Sequence, residues 1–206
     1  MKTEILKADH PVVYRHAVDI LKHGGTVVFP TDTVYGLAAL PFNKDYVERL
    51  YIIKGRNSTR AIAVLIGEVS ELEKVSVSPS KSAKQLAEKY WPGPLTLVVP
   101  KHPNLPEVLS SLLTVGVRVP DHPVALSLLG ITGPLAVTSA NLSGRENTNS
   151  ALEAFEQLRG RVDLIIDGGR SPGGVPSTVV DCTTADLKIL RPGPISYDDL
   201  DRIVSI

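Results

Sequence analysis

The chain has 206 residues, 43% of them hydrophobic and 21% charged, a composition that supports one sizeable core and excludes wholesale disorder. Lysine plus arginine equals aspartate plus glutamate at 22 each, which excludes the global basic field of a general nucleic-acid binder, so any positive patch has to be local. A single cysteine, Cys182, excludes an internal disulfide and a cysteine-rich zinc site, and reads as a small buried residue in a reducing compartment.

The segment from Met1 to His10 mixes charges and lacks the apolar block of a secretory signal. No run approaches the ~20 apolar residues of a membrane helix, so a cytoplasmic protein without membrane association is expected. From Pro11 to His23, apolar Val12, Val13, Ala17, Val18, Ile20 and Leu21 recur near helical spacing, with Pro11 in the first turn and Gly24-Gly25 as the stop. Thr26 to Pro30 is a short β-branched strand that proline halts, opening the polar stretch Pro30-Thr31-Asp32-Thr33-Val34-Tyr35-Gly36. A second helix is predicted over Asp45 to Ile53, with Gly55 as its C-terminal cap and Lys54 beside the carbonyl end.

Ala61 to Ile66 is a continuous apolar run and reads as a central strand. A helical turn at Ser70 to Lys74 and a helix at Ser80 to Tyr90 follow, the latter broken by Trp91-Pro92-Gly93-Pro94. Strands are predicted at Leu95 to Val99, Val115 to Val119, Leu135 to Val137, Leu164 to Ile166, Thr178 to Cys182 and Leu187 to Leu190. Helices fit Pro123 to Leu129, Ser150 to Gln157 and Tyr197 to Val204, so the pattern is α/β or mixed α+β around one large sheet, one domain over 1–206. The run Gly168 to Gly174 is too glycine-rich for an element interior and reads as a lid or a loose surface loop.

No phosphate-binding glycine loop, dinucleotide fingerprint, zinc-protease helix motif or nucleophile elbow occurs. His10, His16 and His23 lack the one-turn spacing of a zinc pair and read as solvated. What remains is cationic and hydroxylic, the chemistry of an anion site. Lys54 and Arg56 flank a glycine, and on an extended backbone both would face a polyphosphate; the plainer reading is a dipole-favoured lysine and a solvated arginine at a helix end. Ser139 and Asn141, two apart in the loop after a strand, either orient a substrate or close a turn on their own backbone. Arg118 interrupts an apolar strand, so it pairs with an acid or awaits an anion, whereas Arg191 reads as a surface arginine.

Seven segments taken together resemble the YrdC family: Phe29 to Leu37, Lys54-Gly55-Arg56, Trp91-Pro92-Gly93-Pro94-Leu95-Thr96, Val117-Arg118-Val119-Pro120, Thr138-Ser139-Ala140-Asn141-Leu142-Ser143-Gly144, Pro176 to Asp181 and Arg191-Pro192-Gly193. The resemblance implies a twisted open mixed α/β sheet flanked by helices, with a positively charged concave surface. It also implies synthesis of L-threonylcarbamoyl-AMP and pyrophosphate from L-threonine, bicarbonate and ATP, for a tRNA modification next to the anticodon. Mg²⁺ is expected on the triphosphate rather than in a protein-held metal site. The family's Lys-x-Arg and Ser-x-Asn signature falls on Lys54, Arg56, Ser139 and Asn141, implied as catalytic and nucleotide-binding. Thr33, Arg118, Thr138 and Thr178 match threonine contacts, and Arg60, Thr114, Thr148 and Arg191 match nucleotide contacts.

Departures accompany the match. Asn57 stands where members often have proline, and Leu65 where they have a histidine, which removes that threonine contact, while Arg60 adds a cation. With its end shortly after Arg191, the chain is expected to be of the short single-domain type. Downstream threonylcarbamoyl transferase proteins are the implied partners, and tRNA or double-stranded RNA a further one. The alternative from another class is a non-catalytic paralogue that binds nucleotide or double-stranded RNA. Retention of Ser139 and Asn141, which pure charge attraction to RNA does not need, favours the enzyme. A stand-alone relative of the carbamoyl-transfer modules of larger maturation proteins is disfavoured by the single cysteine.

Overall fold

A computed structural model describes residues 2–55, 60–172, 175–184 and 186–204. Its strands are β1 (Glu4–Lys7), β2 (Val27–Phe29), β3 (Gly36–Ala39), β4 (Ala63–Leu65), β5 (Leu95–Pro100), β6 (Thr114–Arg118), β7 (Leu135–Ser139), β8 (Leu164–Asp167), β9 (Thr178–Asp181) and β10 (Lys188–Arg191). Its helices are α1 (Val13–Lys22), α2 (Lys44–Lys54), α3 (Leu72–Val75), α4 (Lys81–Tyr90), α5 (Pro123–Thr132), α6 (Ala151–Leu158) and α7 (Tyr197–Val204). None of the described helices is long and apolar enough to cross a membrane.

All the strands join one mixed sheet in the order β1-β8-β2-β3-β7-β4-β6-β5-β9-β10. The strand predicted as central, now β4, lies between antiparallel β7 and parallel β6, in the middle of that order. Two strands escape the pattern reading. β1 is an edge strand whose residues are mostly exposed, so it carries no apolar run. β3 reads Gly-Leu-Ala-Ala, poor in β-branched residues, and is held by ladders on both sides, Ala38 facing Val27 and Val137. β7 also runs two residues further than the apolar pattern, so Ser139 ends a strand rather than standing in the following loop.

The alternation of side chains along the strands decides where a cavity can form. One face packs Val64, Leu97, Val99, Val115, Val117 and Val180 into the larger core. The opposite face of β2, β3 and β8 is covered by Val13, Ala17 and Leu21 of α1 and by Val124, Ala125, Leu128 and Leu129 of α5. On that same face Ala63, Val98, Gly116 and Val179 are only half-buried, and they border open space. The helical cover reaches β4 at Leu65 and stops short of β6, β5 and β9, and the bare stretch becomes the floor of a concavity.

Local signals set the ends of the helices that matter here. Asn43 caps α2, its Oδ1 accepting from Asp45 N at 2.9 Å, and Gly55 ends it in the left-handed region at φ 59°. Gly55 is therefore not extended, so the extended backbone expected at this glycine is not found. α5 begins at Pro123 after His122, whose Nδ1 accepts from Val124 N at 3.2 Å. Burial holds the His122 imidazole below its ordinary 6.5, with the nearby Asp32 and Asp121 charges pulling the other way.

That shift predicts acid sensitivity. A histidine with a depressed folded-state value contributes stability that is fully present above about 6.5 and is lost as the pH falls toward the folded value, because the unfolded chain takes up the proton first. The slope is at most ~1.4 kcal/mol per pH unit. Melting curves between pH 7.5 and 5 should show a smaller decline for His122→Asn, which retains a capping acceptor, than for the unaltered protein; equal declines would exclude the assignment.

Candidate active site

A cavity of about 540 Å³ opens over the uncovered floor, within the size range of small-molecule sites. Its lining includes Lys54, Arg60, Arg118 and Arg191, the hydroxyls of Thr31, Thr33, Thr96, Ser110, Thr114, Thr138, Ser139, Ser143 and Ser177, and the amide of Asn141. Asp181 is the one carboxylate in the described lining. The arrangement favours anions, and it draws together nine of the sequence-predicted residues: Thr33, Lys54, Arg60, Thr114, Arg118, Thr138, Ser139, Asn141 and Arg191. Arg56 lies outside the described residues.

Lys54 is 4% exposed although it is the last residue of α2. Its ammonium donates to the Ser139 carbonyl, to Asn141 O at 2.6 Å and to Asn141 Oδ1 at 3.0 Å. The Lys54 carbonyl accepts from Ser143 N at 2.9 Å, so the lysine grips the turn after β7 from both ends. Asn141 is equally committed. Its Nδ2 donates to Leu142 O and Arg145 O, at 3.0 and 2.7 Å, which orients Oδ1 toward Lys54 and toward the Ser139 hydroxyl, a donor at 2.6 Å. A dipole-favoured lysine at a solvated helix end is therefore not what the structure contains. This residue is a buried fixed charge under a turn at the cavity edge.

Arg118 ends β6 with 5% exposure. Its guanidinium pairs with Asp32, donates from Nη1 to Thr33 Oγ1 at 3.0 Å, and donates from Nε to Gly93 O at 2.9 Å. Burial draws its pKa below the usual arginine range, while the Asp32 charge opposes the shift. Of the two readings of this arginine, pairing with an acid is what the structure contains, and the paired guanidinium also borders the cavity. Arg191 is exposed on β10, and it still borders the cavity, donating through Nε and Nη2 to Ser177 O and through Nη2 to Ser177 Oγ.

Two expected contacts point elsewhere. The Thr148 hydroxyl is fully buried and donates to Ala140 O at 3.0 Å, while Tyr35 N donates to Thr148 O, so this residue braces the turn. Thr178 Oγ1 is also fully buried and both donates to Ile195 O and accepts from Ile195 N. Neither side chain borders the cavity. In the Pro176-Ser177-Thr178 segment it is Pro176 and Ser177 that line the cavity, Ser177 sharing a hydrogen bond of 2.7 Å with Thr96. Strand period could have identified it, because Thr178 has the parity of the core residues Val180 and Cys182. The same parity argument finds Thr96, Val98 and Asp181, which sequence reasoning missed.

The loop that reads as a lid is described over 168–172, and none of those residues borders the cavity. The Tyr35 phenol donates to Gly169 O and fastens that loop; burial raises the phenol to about 12. Gly173 and Gly174 lie outside the described residues.

A family model for Sua5, YciO and YrdC proteins, described as telomere recombination, matches residues 19–193. The threonylcarbamoyl-AMP synthase of Bacillus subtilis is 39% identical over 98% of this chain and 59% of its own length. A putative threonylcarbamoyl-AMP synthase of Mycobacterium tuberculosis is 40% identical over 92% of this chain and 88% of its own. Among solved structures, Pyrococcus abyssi Sua5 complexed with L-threonine superposes with a TM-score of 0.93 at 35% identity, covering 99% of this chain and 61% of that one. Escherichia coli YciO superposes with a TM-score of 0.85 at 30% identity, covering 97% and 98%. The chain thus spans little more than half the length of the Bacillus and Pyrococcus relatives.

Proposed function

The chain belongs to the Sua5/YciO/YrdC family, and from that premise we propose that it is an L-threonylcarbamoyladenylate synthase, a nucleotidyltransferase using L-threonine, bicarbonate and ATP. The observation that carries the reading is the charge balance of the cavity, where Lys54, Arg60, Arg118 and Arg191 line the walls with one carboxylate, Asp181, among the described lining residues. Condensation of the threonine amine with bicarbonate releases water and gives a carbamate. A carbamate oxygen then attacks the α-phosphorus of ATP, the bond to the bridging oxygen breaks, and pyrophosphate leaves. Carboxylate, carbamate and triphosphate all bring negative charge to one place, so the protein's contribution is to offset their repulsion and hold them in line.

Within that reading Arg118 receives the threonine carboxylate, with Thr33 and Thr138 around the amino acid. Lys54 supplies a fixed positive charge beneath the 139–143 turn, and Ser139 and Asn141 shape the edge where carbamate and α-phosphate meet. Arg56, Arg60, Thr114 and Arg191 serve the nucleotide, while Thr148 and Thr178 support the walls. In this reading Mg²⁺ enters with the triphosphate as part of the substrate. The tRNA modification machinery is the consumer of the labile adenylate in this proposal.

The test is pyrophosphate release by the protein incubated with MgATP, bicarbonate and L-threonine. Release that needs all three supports the synthase. Tight nucleotide or double-stranded RNA binding without release supports the non-catalytic paralogue.

A further inference from the structure

We propose that Asp32 is a positioning residue that aims Arg118 at the carboxylate of the amino-acid substrate; this rests on the synthase reading. Asp32 is absent from the described cavity lining, whereas its neighbours Thr31 and Thr33 and its partner Arg118 are part of it. Asp32 thus meets the cavity wall through its side-chain contact with Arg118.

A guanidinium has five N–H donors. The three described bonds, to Gly93 O, Thr33 Oγ1 and Asp32 Oδ1, use the Nε proton and one proton on each terminal nitrogen. One donor remains on each terminal nitrogen, which is what two-point recognition of a carboxylate requires. Asp32 itself is fixed by Asp121 N, which donates to Oδ1 at 3.1 Å. Its Oδ2 is buried without a hydrogen-bond partner among the described residues, where the carboxylate's partners are the arginine and one backbone amide.

The hydroxyl chain beside the pair has a definite direction. Thr31 donates its proton to Val34 O at 2.7 Å, so in the 3.0 Å contact between Thr31 and Thr33 the Thr33 hydroxyl is the donor. Thr33 then accepts from Arg118 and has no proton left to give. The guanidinium is thus clamped by acceptors on three sides, and removing the charged one frees it to rotate about its remaining contacts.

Steady-state pyrophosphate release by Asp32→Asn and Asp32→Glu tests this. Asn retains an uncharged acceptor, and Glu retains the charge but displaces it by about one bond length, where misplacements of ~1 Å can cost ~10²-fold. In both variants the KM for threonine should rise at least tenfold, while the KM for ATP stays within twofold and kcat at saturating threonine within threefold. A threonine KM within twofold of the unaltered protein, or equal rises for both substrates, overturns the positioning role. Loss of the fold in both variants also overturns it, since the pair would then be structural. An unaltered protein that releases pyrophosphate without regard to threonine overturns the synthase reading, and this inference with it.

Discussion

Replacing Lys54 with methionine is expected to remove at least about 99% of pyrophosphate release and also to lower the melting temperature by roughly 6–12 °C. A lysine serving only a helix dipole is worth under ~1 kcal/mol. Here three acceptors, Ser139 O, Asn141 O and Asn141 Oδ1, lose a buried charged donor. Asn141 Oδ1 keeps the Ser139 hydroxyl and Ser139 O keeps Asn141 N, so the loss is of hydrogen bonds to a charged donor, worth ~1.5–3 kcal/mol each; a total near 3 kcal/mol is a restrained figure, and each kcal/mol lowers the midpoint by ~2–4 °C in a chain of this size. Thermal melts together with the release assay check it. Lost activity at an unchanged melting temperature would mean that Lys54 acts only by touching phosphate and does not hold the turn.

Replacing Arg118 with methionine should abolish the response to threonine and destabilise the protein by about 3–5 kcal/mol, the usual cost of leaving one member of a buried ion pair uncompensated. The side chains of Arg118 and Asp32 are only 7% and 11% exposed, so solvent screens the abandoned carboxylate poorly. The double variant Arg118→Met/Asp32→Asn separates the two effects. It should recover much of the stability, because removing both charges also removes their desolvation penalty, but none of the threonine dependence. Calorimetric titration with threonine and urea unfolding of both variants measure this. Threonine affinity retained in the single variant would place the carboxylate elsewhere.

Much of the site was legible because its chemistry sits at the ends of apolar runs, where a strand gives way to polar residues. The segments 30–36, 54–55, 138–141 and 176–178 do converge at one cavity. What was not legible is the partnership of each residue. Arg118 announces itself as a charge in an apolar strand, yet nothing local to it indicates Asp32, 86 positions away. The burial of Lys54 depends on the 139–143 turn folding over a helix end, a long-range event that helical periodicity does not record. Thr148 and Thr178 match a pattern that identifies the segment correctly without stating which way a side chain turns. The fold was readable where strands are apolar throughout and unreadable at β1 and β3, the first an exposed edge and the second built of glycine and alanine and stabilised by its neighbours.

The uncovered floor has a consequence for how this molecule can change over generations. Along β6, Val115 and Val117 face the core while Thr114, Gly116 and Arg118 face the cavity, and the same two-sidedness runs through β4, β5 and β9. A single ribbon of backbone is therefore both foundation and workbench, with every second position answering to a different demand. Descendants can revise the chemical side one residue at a time while the architectural side stays as it is. Gly116 marks the limit of that freedom, because a methyl group there would stand 3.0 Å from the Thr96 methyl and begin to fill the workspace itself.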